Sequence, residues 1–185
     1  MIALYIILGI LAFVLLAGVG LFNSLVSIRN HCDESWSNVD TELKRRYDLI
    51  PNLINTVKGY ASHEKELFVQ VTSMREKASH NHGSMASQAQ DEIQLGQALG
   101  QLMVRLEAYP EVKASKNFLE LQEELANTEN RIQAALRFFN GNIRENNNRV
   151  QQFPSNMLAG MFNFPLREFF ELDIPEAREV PQVQF

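Results

Sequence analysis

Ile2 to Phe22 read IALYIILGILAFVLLAGVGLF, 21 residues without a charged side chain. As a helix this run is about 31 Å long, matching a hydrocarbon core of roughly 30 Å. It is apolar all round, a surface that a helix of a soluble domain does not need. Gly9, Gly18 and Gly20 are tolerated in a membrane span. A cleaved signal peptide would need a basic leading segment, a shorter apolar run and a small-residue cleavage site. No Lys or Arg precedes Arg29, and no A-x-A-like site follows the run. Residues 1–24 are therefore expected to be an uncleaved membrane anchor. Arg29, with Lys44-Arg45-Arg46 further on, tilts the positive charge toward the C-terminal side. That bias favours an outside N-terminus and a cytoplasmic helical body.

Beyond the anchor, apolar residues recur at helical spacing. Leu25, Ile28, Cys32, Trp36, Val39 and Leu43 are 3, 4, 4, 3 and 4 apart, one stripe of a helix that continues out of the membrane. Asp48 ahead of Leu49-Ile50-Pro51 reads as a helix start or a kink. A second helix is expected to carry Leu53, Val57, Tyr60, Leu67, Val71, Met74 and Ala78, ending in the polar loop Ser79 to Ser84. Leu95, Leu99, Leu102 and Leu106 predict a third, stopping near Tyr109-Pro110. Ser115 is a candidate cap for a fourth. Its stripe runs Phe118, Leu121, Leu125, Thr128, Ile132, Ala135, Phe139 and Ile143, then skips to Val150. Phe153-Pro154 ends it. No alternating strand pattern competes. The expected fold is all-α: a transmembrane helix continuing into an antiparallel bundle of about four long helices. Residues 25–153 form the bundle, and residues 154–185 an apolar, then acidic, tail.

The chain has 185 residues, 17 Lys and Arg against 22 Asp and Glu, and a formal net charge of −5. Its length suits one domain. The acidic balance argues against general nucleic-acid binding, which needs a basic face to displace counterions. Cys32 alone cannot make an internal disulfide.

Each chemically suggestive residue has a plainer reading. His63-Glu64 fails as a zinc-protease motif, because position 67 is Leu where a second His would be needed. His80 and His82 read as ordinary loop histidines, with no partner Cys and no nearby carboxylate cluster. Cys32 lies on the apolar stripe beside Asp33-Glu34, a poor setting for a thiolate. No phosphate loop, nucleophile elbow or paired catalytic carboxylate appears. The expectation is a protein that is not an enzyme, with no cofactor, metal or small-molecule substrate.

Several stretches resemble the LemA family. They are Arg29-Asn30, Trp36, and LKRRYDLIPNLINTVKGYASHE from Leu43 to Glu64. Further on come Glu107-Ala108-Tyr109-Pro110, Leu121-Gln122 with Glu124-Leu125, and Thr128-Glu129-Asn130-Arg131-Ile132. The late block runs from Arg137-Phe138-Phe139-Asn140 through Asn147 to Gln152-Phe153-Pro154-Ser155-Asn156. The resemblance covers nearly the whole chain. It implies a single-span bacterial membrane protein with a long-helix bundle, and supplies no established reaction. Phe139 stands where the family usually has Tyr, and Asn146 where an aromatic is usual.

The candidate interface or structural polar residues fall into three groups. Arg45 and Arg46 belong to the strongest basic cluster, read as cations near a helix C-terminus that pair with Asp48 or Glu64. Glu129 and Asn130 come from the Thr128-Glu129-Asn130-Arg131-Ile132 stretch that resembles the family. Gln133, Arg137, Asn140, Arg144 and Asn147, spaced 4, 3, 4 and 3, form a polar stripe of amides and arginines on the fourth helix. Such a stripe suits a contact seam, within the bundle or between protomers. The functional expectation is a membrane-anchored scaffold that forms a homo-oligomer through its helix faces, with the lipid bilayer as its first partner. The alternative is an adaptor for a membrane protease or signalling protein. A C-terminal Val183-Gln184-Phe185 could in principle add a strand to a carboxylate-binding domain, although a frayed or self-docked end is the plainer reading.

Overall fold

The computed structural model describes residues 1–172. The acidic end of the tail, with Pro175, Pro181 and the Val183-Gln184-Phe185 terminus, lies outside the described residues. Among the described residues every regular element is helical. In order they are α1 (Ile2–Val57), a 3-10 turn (Ser62–Glu64), α2 (Lys65–His80), α3 (Met85–Leu106), the short α4 (Pro110–Lys113), α5 (Lys116–Gln151) and the short α6 (Ser155–Met161). The all-α expectation is what the structure has: the N-terminal apolar stretch continues as the rest of α1, which with α2, α3 and α5 makes four long helices.

Two boundaries differ from the sequence reading. Pro51 does not begin a helix; it sits inside α1. Proline lacks the N–H that would bond the carbonyl of Tyr47, four residues back. The Arg75 Nε–H donates to that carbonyl at 2.7 Å instead, so the acceptor is satisfied and the helix continues. The break comes later, at residues 58–61, where Tyr60 and Ala61 both return their N–H groups to the Val57 carbonyl. Leu53 and Val57 therefore belong to α1 and not to the second helix, and Tyr60 is half exposed.

The chain divides into two compact units. One contains Met1–Val39 and Ala135–Glu168; the other contains Asp40–Ala134 and the segment beginning at Phe169. In the first unit, α1 and α5 run antiparallel. Arg149 Nη1 reaches the Ser24 carbonyl at 3.1 Å, Asn142 Nδ2 donates to the His31 carbonyl at 3.3 Å, and Trp36 lies against Phe139, ring centroids 5.2 Å apart. The interior holds Leu25, Ile28, Cys32 and Val39 from α1 and Leu136, Phe139 and Ile143 from α5. Asn146, also buried, occupies the gap in the stripe between Ile143 and Val150, so the helical period is unbroken. After α5, α6 folds back so that Ala159 and Phe164 pack with Leu25, Phe22 and Val26. The apolar residues from Ile2 to Val19 remain outside any core, as a helix solvated by lipid requires. Among the described residues, α1 alone is long and apolar enough to cross a membrane.

In the second unit, α2 and α3 form an antiparallel hairpin. Ser84 caps α3 by accepting from the Ser87 N–H at 3.2 Å. Lys77 pairs with Asp91 across the hairpin at 2.7 Å, and Asn81 Nδ2 donates to the same carboxylate at 2.7 Å. Pro110 opens α4 at its first turn, where a missing N–H costs nothing. The core gathers Leu43, Ile50, Leu53 and Val57 from α1, Val71 from α2, Leu95, Leu102 and Leu106 from α3, and Phe118 and Ile132 from α5.

Candidate functional site

Arg46 lies on the inner face of α1. Val39, Leu43, Arg46, Ile50, Leu53 and Val57 are spaced 4, 3, 4, 3 and 4, so the guanidinium occupies a core position once the helix passes Pro51. Its side chain is 5% exposed and that of Glu92, on α3, is 2% exposed. Arg46 Nη2 donates to Glu92 Oε2, and the Tyr47 phenol donates to Glu92 Oε1. Arg46 Nη1 donates to Glu129 Oε2 on α5 at 3.0 Å, and Gln133 Nε2 donates to Glu129 Oε1 at 3.1 Å. Three helices thus converge on one cation, held by two carboxylates.

Burial sets the protonation of this cluster. Desolvation lowers the Arg46 pKa from its ordinary value, while Glu129 and Tyr47 push back toward the charged form. Guanidinium basicity is high enough that Arg46 stays charged at neutral pH. Desolvation also pushes the Tyr47 phenol up to about 12, so it remains a proton donor to Glu92. The cluster opens on a cavity of about 460 Å³, lined among others by Gly96, Gly100, Met103 and Leu125. A Cβ added at Gly96 or Gly100 would meet nothing within 4 Å. The glycines widen the space beside the charged group.

The other candidates scatter. Arg45 points outward and pairs with Glu42 at 3.2 Å and Glu124 at 3.7 Å. Lys44 pairs with Asp40. Because α1 continues to Val57, the basic cluster lies in mid-helix, away from the C-terminal dipole, and its partners are other carboxylates than Asp48 and Glu64. Asp48 is exposed. Glu64 instead accepts from the Tyr109 phenol at 3.0 Å, with Arg105 Nε 3.7 Å away. The Glu64 contact is the first cause of the raised pKa of Tyr109.

The α5 stripe divides into different duties. Gln133 belongs to the Glu129 corner, and Asn130 is exposed. Asn140 is half-buried, whereas Arg137 and Arg144 face outward. Asn147 grips the segment after α6 in both directions: its Nδ2 donates to the Arg167 carbonyl at 2.9 Å, and its Oδ1 accepts from the Arg167 N–H at 2.9 Å. Cys32 is fully buried. Desolvation raises its pKa, Arg167 opposes the rise and Asp33 adds to it. Among the described residues no group of three or more His, Cys, Asp and Glu is placed to hold a metal ion.

The family model of LemA proteins matches residues 35–185. The chain belongs to the LemA family. The matched region is the helical body from just before Trp36 onward; the apolar run precedes it. A protein named LemA from Metamycoplasma hominis is 26% identical over 180 residues, 94% of this chain and 80% of that protein. A magnetosome protein, MamQ, from Magnetospirillum gryphiswaldense is 22% identical over 174 residues, 80% of this chain. MamQ 2 of Paramagnetospirillum magneticum is 22% identical over 175 residues, 81% of this chain. The alignments span 64% of the length of each MamQ protein. Family membership and the apolar helix together make this a membrane-associated helical protein. Phe139 and Asn146 both lie inside the first unit. Phe139 needs no hydroxyl partner against Trp36, and Asn146 donates to the Pro165 carbonyl at 3.4 Å and Asn147 Oδ1 at 3.2 Å.

The residues that sequence reasoning missed are Tyr47, Glu92 and Arg75. Glu92 was legible in part: Glu92, Leu95, Leu99, Leu102 and Leu106 share one stripe, and a carboxylate at a core position calls for a buried cation.

Proposed function

We propose that the chain is a membrane-anchored scaffold that self-assembles through its helical faces, with the helical body on the cytoplasmic side of a bacterial cell membrane. The observation that carries this reading is the outward face of α5. Phe138 is 63% exposed there, with Arg137 and Arg144 beside it and Gly141 leaving open space around its Cα. A solvated helix face favours Lys and Glu; exposed aromatic and Arg side chains around a small residue resemble the centre of a protein interface. Anchoring to a surface raises the local concentration and so favours weak lateral contacts. The mechanism is positional: the anchor sets the height, and the α5 face joins copies.

The test is the mass of the full-length protein extracted gently from membrane, by light scattering, for the native chain and for Phe138→Glu and Arg137→Glu/Arg144→Glu. The expected result is a discrete oligomer whose mass falls roughly twofold or more in both variants. Unchanged mass together with an unchanged unfolding midpoint would sink the reading. A native chain that runs as a fixed complex with a different membrane protein would replace it with the adaptor reading.

A further inference from the structure

Between Arg149 and Arg167 the chain has no charged residue: VQQFPSNMLAGMFNFPL spans 150–166. This stretch contains α6 and presents two faces. Leu158, Ala159 and Phe164 turn inward, against Phe22, Leu25 and Val26. Phe153, Met157, Met161, Phe162 and Leu166 turn outward and are each more than half exposed. Met157 and Met161 are four residues apart within α6, which places them along one side of it. So many large apolar side chains on one short segment make a patch that a protein surface in water rarely carries.

The position of the patch says what covers it. Phe22 is the last residue of the apolar run, before Asn23 and Ser24. With about 31 Å of helix behind it, it marks the edge of the hydrocarbon core. The Phe162 ring lies 4.8 Å from the Phe22 ring, edge to face, and Phe164 lies 5.9 Å from it. With the edge of the hydrocarbon core at Phe22, α6 lies at the height where the anchor leaves the bilayer. The charges around the patch lie at its border. Arg29 rests over the Phe164 ring at 5.6 Å. Arg149 bonds Glu145 and Ser24, and Arg167 bonds Asp33 at 2.6 Å. An apolar face rimmed by arginines at headgroup level is the arrangement of a segment lying in the membrane interface.

We propose that α6 and its flanking residues form a second membrane contact. Phe153, Met157, Met161 and Phe162 enter the boundary between acyl chains and headgroups beside the anchor helix, and Arg29, Arg149 and Arg167 face the lipid phosphates. The contact fixes the first unit against the bilayer, where a single helix would leave it free to swivel. It does not depend on self-assembly.

The experiment uses the full-length chain, with Cys32→Ala removing the native thiol, in vesicles of phosphatidylcholine and phosphatidylglycerol. A fluorescent probe is placed at Met157→Cys or Met161→Cys. Val19→Cys in the anchor and Asn38→Cys, about 24 Å beyond Phe22 along α1, are the two references. All four positions are exposed, so no buried contact is removed. A nitroxide carried on the upper acyl chain of the lipid should quench the probes at 157 and 161 roughly half as strongly as at 19, or more, and leave 38 almost untouched. Quenching at 157 and 161 as weak as at 38 overturns the proposal. Probes that are shielded from water yet insensitive to the lipid nitroxide also overturn it, and show that a second protein surface covers the patch.

Discussion

The unit containing the apolar N-terminal helix closes its interior with rings and amides, while the unit around α2 and α3 closes over ionised groups. In the first, Phe22, Trp36 and Phe139 make the large contacts. Its long-range polar bonds go mostly to backbone carbonyls, those of Ser24, His31, Pro165 and Arg167. Its charged pairs, Arg149 with Glu145 and Arg167 with Asp33, stay at the rim. In the second, Arg46 and Glu92 are both buried, and Asp91 is buried beneath Lys77. A carbonyl is a neutral acceptor whose strength does not change with pH. A buried ion pair depends on both partners keeping their charge, and losing one strands the other in a medium that solvates it poorly. The two units should therefore fail in different ways.

The largest difference should come from deleting one partner in each. Glu92→Ala leaves Arg46 buried with only the half-exposed Glu129 and strips Tyr47 of its acceptor. It should cost about 3–5 kcal/mol. Asn147→Ala removes the two bonds that hold the Arg167 backbone and should cost about 1–3 kcal/mol. Denaturant unfolding of the full-length chain in detergent measures both, and the reverse order would break the comparison.

A finer test concerns Arg75, a cation of the second unit that serves a backbone carbonyl. Arg75→Met leaves the Tyr47 carbonyl without a donor and should cost about 1–3 kcal/mol. In a Pro51→Ala background an N–H is present at position 51 and can take over. The cost of Arg75→Met should then fall by about 1 kcal/mol in a double-mutant cycle. An unchanged cost would show that Arg75 acts through packing alone.

The smallest effect is the pH dependence that Tyr47 brings to the second unit. The folded state holds the Tyr47 phenol at about 12, above its ordinary value of 10.0. The raised value means that the folded state favours the protonated form. Its contribution to stability is complete below pH 10 and is lost as the pH rises toward 12. Tyr47→Phe should flatten the unfolding midpoint over that window. A midpoint that falls equally in both proteins would assign the alkaline loss to another group.

The sequence alone determined the long apolar N-terminal helix, the helical class and most of the core faces. Those rest on local geometry: 21 uncharged residues match a bilayer, and side chains three and four apart share a face of any helix they form. Leu25, Ile28, Cys32, Val39 and Leu43 are all buried, as are Phe118, Ile132, Phe139 and Ile143 on α5. What the local pattern could not decide is which faces meet. Pro51 read as a boundary because its missing hydrogen bond is visible in the sequence, while the replacement donor comes from Arg75 on another helix. Arg46 read, with Lys44 and Arg45, as a cation near a helix C-terminus pairing with Asp48 or Glu64, because its carboxylates lie 46 and 83 residues away on α3 and α5. The apolar stretch after Pro154 read as aperiodic tail, and its contact with Phe22 came from the fold-back that Asn146 and Asn147 hold. In each case the deciding energy is the pairing of a group that would otherwise be buried alone. That pairing exists only when distant segments pack, so tertiary structure decided it.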